Sequence, residues 1–311
     1  MRRARRGSTD LSGILVIDKP AGITSHDVVS AVRRASGESR VGHAGTLDPA
    51  ATGVLVVLVG PATRLAPYLT AAVKSYDARI VFGASTDTDD ADGAVVKEAA
   101  VPAICTDLDY ASGVIAGLVG PGEQTPPAYS AIKRDGRVSH RVARAGGSVE
   151  LEPRTFEVFD GSLSGIESGP PVVWDVRMTV SKGTYIRAIA RDLGASVGSA
   201  AHLGALRRTA SGAATLKYAH TLDEVVAATD PRELFADPLH LLGLPVVDVD
   251  EATARRVADG VALTAPVLSD VCPGPELRAI VHCGSLLAIY RSDDTGGTLI
   301  ADVVLPGGIR R

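Results

Sequence analysis

Runs of apolar residues predict the buried strands of the fold. Residues 13–17 and 55–59 are unbroken apolar runs, each too short for an ordinary helix, and such runs are typical of strands buried on both faces. Residues 74–83 alternate polar and apolar side chains, which predicts a strand with one face toward solvent. The same reasoning predicts strands over residues 155–160 and 172–180.

Helical spacing predicts the segments between these strands. Val28, Val29 and Val32 share one helix face, and Thr24 or Ser25 can cap the helix that contains them. Further short helices are predicted over residues 60–69, 107–118, 138–145, 201–208 and 251–259, and one is predicted to begin at residue 223.

Residues 184–194 predict a helix with a cation in an unfavourable place. Its core face follows the i, i+3, i+4, i+7 rule: Ile186, Ile189, Ala190 and Leu193. Thr184 is its predicted N-cap and Gly194 the residue just past its end. Arg187 lies off the core face in the first turn, where the helix dipole disfavours positive charge. We therefore expect Arg187 to have an anionic partner.

Length and composition indicate a globular protein. With 311 residues, 45% of them apolar and 22% charged, the chain is long enough for two domains with real cores. Cys105, Cys272 and Cys283 form no CxxC pair, which argues against a disulfide framework or a zinc site and favours a reducing cytoplasm. The basic residues 1–6 precede an apolar run too short for a secretory or membrane segment, so neither is expected.

The net charge of −4 conceals an uneven distribution. Residues 1–72 carry nine Lys or Arg against five Asp or Glu, and residues 121–217 carry thirteen against nine. Residues 73–120 carry three against eight, and residues 218–311 carry seven against fourteen. Two basic segments within an acidic chain are expected if one face meets a polyanion.

The stretch from residue 40 to residue 55 concentrates groups that can do chemistry. It holds three glycines, two threonines, His43 and Asp48, and Pro49 restricts Asp48 to extended geometry. An isolated Asp-Pro pair is more often an ordinary turn. The match of residues 42–45 to the G-x-x-G loop of KH domains is too short to carry weight. Residues 87–93 lack the ligand spacing of a calcium loop, so an acidic turn between two strands is expected.

Several motifs in a fixed order resemble the signatures of bacterial TruB-type tRNA pseudouridine synthases. They cover most of residues 13–220, and this order is far more specific than any one motif. One departure is Ser139-His140, where the family usually has an aromatic residue. The matching motifs are Asp18-Lys19-Pro20 with Thr24-Ser25-His26, Gly42-His43-Ala44-Gly45-Thr46-Leu47-Asp48-Pro49, Tyr76, Thr86-Asp87-Thr88 with Asp90 and Gly93, Pro126-Pro127 with Tyr129-Ser130-Ala131, Lys182-Gly183-Thr184-Tyr185-Ile186-Arg187, and Leu206-Arg207-Arg208-Thr209.

The resemblance implies an α+β fold in two domains. Residues 11–245 are then the pseudouridine synthase catalytic domain, a mixed and mainly antiparallel sheet with flanking helices. Residues 246–311 are then a small PUA-like, RNA-binding β domain. Residues 1–10 are expected to be a disordered basic tail.

The resemblance also implies the reaction. Uridine-55 in the T-loop of tRNA is isomerised to pseudouridine: the N–C glycosidic bond breaks, the base rotates and a C–C bond forms. Asp48 is the implied nucleophile, and it remains open whether it attacks uracil C6, attacks ribose C1′ or assists an elimination. Burial pushes a carboxylate toward its neutral form, and Arg187 matches the family's cation that counters this.

Further site residues follow from the same resemblance. Tyr76 matches the residue on which the flipped base stacks, and Tyr185 a second aromatic with a part in proton transfer. Both tyrosines are expected to lie off the core face. Leu206 matches a backbone contact to the base edge, and His43 a side chain that fills the space left by the flipped nucleotide. Lys19 and Pro20 match supports of the catalytic loop. No metal, organic cofactor, membrane or obligate protein partner is implied, and we expect a monomer.

Two other functions stay open at the level of sequence. One is an RNA-binding or tRNA-folding factor whose catalysis is incidental. The other is a synthase with the same chemistry that acts on another RNA, such as ribosomal RNA.

Overall fold

The computed structural model describes residues 9–127, 133–134, 137–138, 152–264, 277–293 and 297–310. Most of the predicted N-terminal tail therefore lies outside the described residues. So do the motif at Tyr129-Ser130-Ala131 and, apart from Val138 at the end of a short strand, the helix predicted over residues 138–145.

The described residues contain strands in both predicted and unpredicted places. In chain order they are β1 (Gly13–Lys19), β2 (Val41–Ala44), β3 (Thr52–Val59), β4 (Lys74–Phe82), β5 (Ala84–Thr86), β6 (Val95–Glu98), β7 (Gly120–Gln124), β8 (Lys133–Arg134), β9 (Arg137–Val138), β10 (Arg154–Glu167), β11 (Val173–Val180), β12 (Ala201–Ser211), β13 (Ala214–Thr215), β14 (His220–Thr221), β15 (Val246–Asp248), β16 (Leu263–Thr264), β17 (Leu277–His282), β18 (Ser285–Ser292) and β19 (Thr298–Arg310).

The helices are short. They are α1 (Ser25–Ser36), α2 (Ala66–Thr70), α3 (Leu108–Ala116), α4 (Ile186–Ser196), α5 (Leu222–Ala227), α6 (Pro238–Leu242) and α7 (Glu251–Ala258), with 3-10 turns at Gly60–Leu65, Ala103–Thr106, Leu216–Tyr218 and Pro231–Leu234. Among the described residues, no helix is both long and apolar enough to cross a membrane.

The chain forms two compact units, which are interleaved in sequence. The first unit contains the residues up to Pro49, then Gly53–Ala71, then those from Ala210 onward. The second contains Ala50–Thr52 and Ala72–Thr209.

The first unit is built on the two apolar runs seen in the sequence. β1 pairs antiparallel with β3 and parallel with β14, and β2 pairs antiparallel with residues 56–59 along the other edge of β3. Residues 55–59 are at most 1% exposed, so the predicted doubly buried strand is confirmed. Helix α1 begins after Thr24, whose hydroxyl accepts from the backbone N–H of Asp27, and its three valines are buried as predicted.

The C-terminal part of the first unit is mainly β structure, as expected. Its strands form a sheet in the order β15-β17-β18-β19-β16. Helix α7 (Glu251–Ala258) confirms the helix predicted over residues 251–259 to within one residue. Leu305 and Ile309 of this part pack in the same apolar cluster as Ile14 and Val56. The segment 231–245, expected to be a connection, holds a 3-10 turn and α6, whose Leu241 is buried in that cluster.

The second unit is a mainly antiparallel sheet in the order β12-β4-β11-β10-β7. The helix predicted over residues 201–208 is wrong, because these residues form β12. Gly204 favours the strand, since it has a low helix propensity and lies directly against β4. A Cβ at Gly204 would lie 2.6 Å from Cγ2 of Val81.

Helix α4 has the predicted core face but neither predicted cap. Ile186, Ile189, Ala190 and Leu193 are at most 4% exposed. The N-cap position is Tyr185 rather than Thr184, and its side chain makes no capping bond. Gly194 lies inside the helix, which continues to Ser196. Close packing requires a glycine at position 194, because a Cβ there would lie 2.4 Å from the backbone nitrogen of Ala201.

Candidate active site

The loop that carries Asp48 lies between β2 and β3 and is held on both sides of the carboxylate. The backbone N–H of Leu47 donates to Oγ of Ser25 (2.9 Å), and that hydroxyl donates back to the Leu47 carbonyl (3.0 Å). On the other side, the Pro49 carbonyl accepts from the backbone N–H of Gly22 (2.9 Å). Asp48 is half-buried, so its carboxylate is desolvated but not sealed from a ligand.

Lys19 supports the same loop from beneath. Its side chain is fully buried at the end of β1, and Nζ donates to the carbonyl oxygens of Pro20 (2.8 Å), Ile23 (2.8 Å) and Pro49 (3.0 Å). An ammonium has three N–H donors, and three carbonyls meet them here. Pro20 is exposed and takes part through its backbone. The loop-supporting role expected for both residues stays a prediction.

Sequence reasoning missed the part played by Ser25. Thr24 and Ser25 both have the chemistry of a cap, but α1 needs only one, and Thr24 provides it. Ser25 is 2% exposed and uses its hydroxyl on Leu47 instead. Two adjacent cap-type residues before one helix were the signal that could have found it.

His43 lies on a strand rather than in the loop expected for residues 40–55. It belongs to β2, where it pairs with Val57 of β3, and it is half-buried. The strand fixes the position of the imidazole five residues before Asp48.

Arg187 occupies the first turn of α4 and has the anionic partner that its position predicted. Its guanidinium is buried, with the residue 7% exposed. Nη1 donates to Oδ2 of Asp90 (3.2 Å) and to the Thr88 carbonyl (3.1 Å). The prediction of an anionic partner is thus confirmed by Asp90.

The acidic turn between β5 and β6, residues 87–93, supplies this partner through Asp90. The expectation of an acidic turn between two strands is confirmed, but sequence reasoning assigned it no function. It is attached to β12 by two backbone bonds around Asp90, from Leu203 N–H to the Asp89 carbonyl and from Ala91 N–H to the Leu203 carbonyl, each 3.0 Å. The signal that could have found it was the charge itself: a cation in the first turn of a helix and a cluster of carboxylates elsewhere in the chain.

Tyr76 lies on the buried face of β4. The strand alternates buried and exposed residues as predicted, but Tyr76 is only 7% exposed and opposes Met178 of β11. The expectation that this tyrosine lies off the core face is therefore wrong. On the same face, burial and then the charges of Arg208 and Lys182 lower the pKa of Lys74 to about 8.

Tyr185 and Leu206 lie on neighbouring elements of the second unit. The backbone N–H of Tyr185 donates to Oε1 of Gln124 (2.8 Å), a side chain only 3% exposed, so a buried amide fixes the start of α4. Leu206 is half-buried on β12. The next residue, Arg207, donates through Nη1 to Oγ1 of Thr52 (3.4 Å). Leu206 thus sits on a strand rather than on the helix predicted for it.

Each unit thus gathers its own set of the predicted site residues. The first unit holds Lys19, Pro20, His43 and Asp48, and the second holds Tyr76, Tyr185, Arg187 and Leu206.

Comparison with known families covers all of these residues except Lys19 and Pro20. Residues 33–186 match the TruB family pseudouridylate synthase (N terminal domain), and residues 187–239 match the tRNA pseudouridylate synthase B C-terminal domain. The chain belongs to the TruB family of pseudouridylate synthases. It is therefore an isomerase, and its α+β fold is the pseudouridine synthase fold.

Individual relatives within the TruB family are similar over nearly their whole length. The tRNA pseudouridine synthase B of Thermobifida fusca (strain YX) is 46% identical over 256 residues, which are 80% of this chain and 85% of that protein. The tRNA pseudouridine synthase B of Cutibacterium acnes (strain DSM 16379 / KPA171202) is 43% identical over 287 residues, or 91% of this chain and 94% of that protein.

Solved structures show the same fold. A chain of a Cbf5-Nop10-Gar1 complex is 26% identical and superposes with a TM-score of 0.71, covering 94% of this chain and 84% of that one. A chain of an H/ACA RNP bound to a substrate RNA containing 2'-deoxyuridine is 23% identical with a TM-score of 0.69. It likewise covers 94% of this chain and 84% of that one.

Proposed function

We propose that this TruB-family enzyme isomerises uridine-55 in the T-loop of tRNA to pseudouridine, with Asp48 as the nucleophile. The observation that carries the assignment to Asp48 is the double anchoring of its loop. Ser25 holds Leu47 and Lys19 holds Pro49, so the backbone on either side of the carboxylate is fixed. Catalytic groups need this kind of preorganisation, which an ordinary surface turn lacks. The tRNA substrate is supported by relatives named tRNA pseudouridine synthase B.

The chemistry requires an ionised carboxylate. Asp48 is half-buried, and burial alone disfavours its charged form. In this proposal the Arg187 guanidinium counters that effect, and Asp90 and the Thr88 carbonyl hold the guanidinium in place. Asp48 then opens the reaction as a nucleophile and is released again before the product leaves. The N1–C1′ glycosidic bond breaks, the uracil rotates, and C5 of the base bonds to C1′ of the ribose. C5 then loses its proton, and N1 gains one.

The target base must leave its stack to reach Asp48. We assign the stacking surface to Tyr76, whose burial on the inner face of β4 suits a base that enters the protein rather than one bound at its surface. Tyr185 takes part in proton transfer, the backbone of Leu206 contacts the base edge, and His43 fills the space that the flipped nucleotide leaves. The enzyme acts as a cytoplasmic monomer on the T-arm, without a metal or an organic cofactor.

The test is conversion of a single uridine in an unmodified tRNA transcript. Wild-type protein is expected to yield pseudouridine at position 55 alone. Asp48→Asn is expected to yield none while its affinity for the transcript stays within about threefold, because the amide keeps the shape of the carboxylate but is not a nucleophile. Product from the Asp48→Asn protein would contradict the nucleophile, and product at another position or in ribosomal RNA only would contradict the substrate.

A further inference from the structure

A second ion pair lies one helical turn beyond Arg187, and neither of its residues belongs to the family motifs recognised above. Arg191 Nη1 donates to Oδ2 of Asp89 (2.8 Å), its Nε donates to Asp192 (2.8 Å) and its Nη2 donates to the Thr125 carbonyl (3.0 Å). One guanidinium thus joins the acidic turn, α4 and the segment after β7.

The Arg187–Asp90 and Arg191–Asp89 ion pairs lie side by side along α4. Arg187 and Arg191 stand four residues apart on α4, a spacing at which like charges repel. The consecutive residues Asp89 and Asp90 face them, with Asp89 on Arg191 and Asp90 on Arg187. The acidic turn therefore meets two successive turns of the helix, and the position of one pair constrains the other.

The outer pair has the shorter contact. Asp90 meets Arg187 at 3.2 Å with one nitrogen, whereas Asp89 meets Arg191 at 2.8 Å, and Arg191 has two further acceptors. Asp89 is 8% exposed. Burial raises the pKa of its carboxyl group, an effect that the charge and hydrogen bond of Arg191 oppose. A buried carboxylate of this kind needs its cationic partner in order to stay ionised.

The backbone at Asp89 is held in a conformation that few residues adopt. Its φ is +61°, in the left-handed region, and its carbonyl accepts from Leu203 N–H. Aspartate tolerates this region better than most residues, but glycine is favoured there. The acidic side chain is present where the backbone alone would favour glycine, and its carboxylate is the group that pairs with Arg191.

Gln124 and Thr125 complete the frame around Arg187. Gln124 accepts from the Tyr185 N–H at the start of α4, and the Thr125 carbonyl accepts from Arg191 six residues later. Arg187 lies between these two attachment points. The direction of its guanidinium thus depends on its bonds to Asp90 and the Thr88 carbonyl and also on these two attachments.

We infer that Asp89 and Arg191 are positioning residues for the reaction: their ion pair fixes the acidic turn against α4 and so aims the guanidinium of Arg187. This rests on the proposed function, in which Arg187 keeps Asp48 ionised. Loss of the Asp89 carboxylate lets the turn and the helix shift, and Arg187 then supports the charge of Asp48 less well. The charged groups that face the two arginines from the turn and from α4 are Asp89, Asp90 and Asp192.

The experiment compares Asp89→Asn, Asp89→Gly and Asp92→Asn on the T-loop transcript across pH. Asp89→Asn keeps the shape of the side chain, and Asp89→Gly accepts the positive φ without strain, so at least one of them preserves the fold. Asp92 is an exposed carboxylate of the same turn, and its Asn variant is the matched control for charge. Wild type and Asp48→Asn are measured alongside.

Both Asp89 variants are expected to lose about tenfold in kcat at pH 7, with KM within about twofold. On the acid side of the pH profile, the pH at which kcat is half-maximal is expected to rise by about half a pH unit or more. The reason is that Asp48 then ionises less readily. Asp92→Asn is expected to match wild type. The inference is overturned if both Asp89 variants keep the wild-type kcat and the wild-type pH of half-maximal kcat, if Asp92→Asn shows the same defect, or if the loss simply follows the melting temperature.

The controls separate this inference from the proposed function. A wild-type protein that converts no tRNA uridine, or an active Asp48→Asn protein, overturns the proposed function and with it this inference. A normal wild type, an inactive Asp48→Asn and unaffected Asp89 variants overturn the inference alone.

Discussion

The ammonium of Lys19 and the carbonyl oxygen of Pro49 are joined by a hydrogen bond of 3.0 Å, although the two residues lie 30 positions apart. Pro49 follows Asp48 directly, so a buried cation at the end of β1 fixes the backbone beside the proposed nucleophile. The loop is thereby part of the core on its inner side. Its outer side remains available for the chemistry.

Lys19→Met tests this support. Methionine is similar to lysine in length but leaves the carbonyl oxygens of Pro20, Ile23 and Pro49 without their shared donor. A loss of about 3 kcal/mol in the free energy of unfolding is expected, since hydrogen bonds to a charged group are worth roughly 1.5–3 kcal/mol and buried acceptors are costly to leave unmet. Urea denaturation measures this change. Lys97→Met on exposed β6 is the control and should stay within about 0.5 kcal/mol of wild type. Equal stability of the two variants would contradict the support.

Two helical glycines are predicted to respond to alanine in opposite directions. At Gly194 the new Cβ would lie 2.4 Å from the Ala201 backbone nitrogen. This overpacking is expected to lower the free energy of unfolding by about 3 kcal/mol. At Gly113, inside α3, a Cβ would meet nothing within 4 Å, and the better helix propensity should stabilise by up to about 1 kcal/mol. Thermal denaturation of both variants checks this. A stabilised Gly194→Ala protein would show that α4 and β12 are less closely packed than described.

Lys74 is expected to make stability depend on alkaline pH. Burial, with Arg208 and Lys182, lowers its pKa from 10.5 to about 8. Between these values the unfolded chain keeps a proton that the folded protein has released, so the free energy of unfolding rises with pH. Lys74→Met removes this titration.

Urea denaturation at several pH values measures the Lys74 effect. The difference in unfolding free energy, wild type minus Lys74→Met, should become more favourable to wild type from about pH 8 to about pH 10. A difference that stayed constant or fell over that window would refute the predicted shift.

Binding of tRNA should weaken steeply with salt, because contacts between the basic segments and phosphates release counterions. Roughly a hundredfold or greater loss of affinity is expected between 50 and 200 mM salt. Lys182→Ala, an exposed cation of the second basic segment, should reduce the slope of log K against log salt by about one, while Lys97→Ala in the acidic segment should not. Filter binding at four salt concentrations measures this. A flat dependence would contradict a phosphate-binding face.

The buried strands and α1 were predictable because a single local rule decided each. The apolar run at residues 55–59 has no polar face to expose, and Thr24 caps its own helix. Residues 201–208 were misassigned to a helix because the spacing of so few apolar residues fits both a helix and a strand. The strand is selected by packing of Gly204 against Val81, more than 100 residues away in sequence.

The site was predictable only in part. A helix dipole that disfavours Arg187 predicted an anion, and Asp90 supplies one, but the sequence did not say which carboxylate it was. The burial of Tyr76 was missed because alternation shows that a strand has two faces without showing which face is covered. Two adjacent cap-type residues signal a second role for Ser25, but its partner Leu47 lies 22 positions away and no local pattern identifies it.

The apolar cluster that joins Ile14 and Val56 to Leu305 and Ile309 has a consequence for synthesis on the ribosome. Strand β1 cannot complete its packing until Leu305 and Ile309 have emerged. The second unit, by contrast, is nearly continuous from Ala72 to Thr209 and has all its strands long before then. The nascent chain is therefore expected to fold from its middle outward, with the Asp48 loop among the last parts to become ordered.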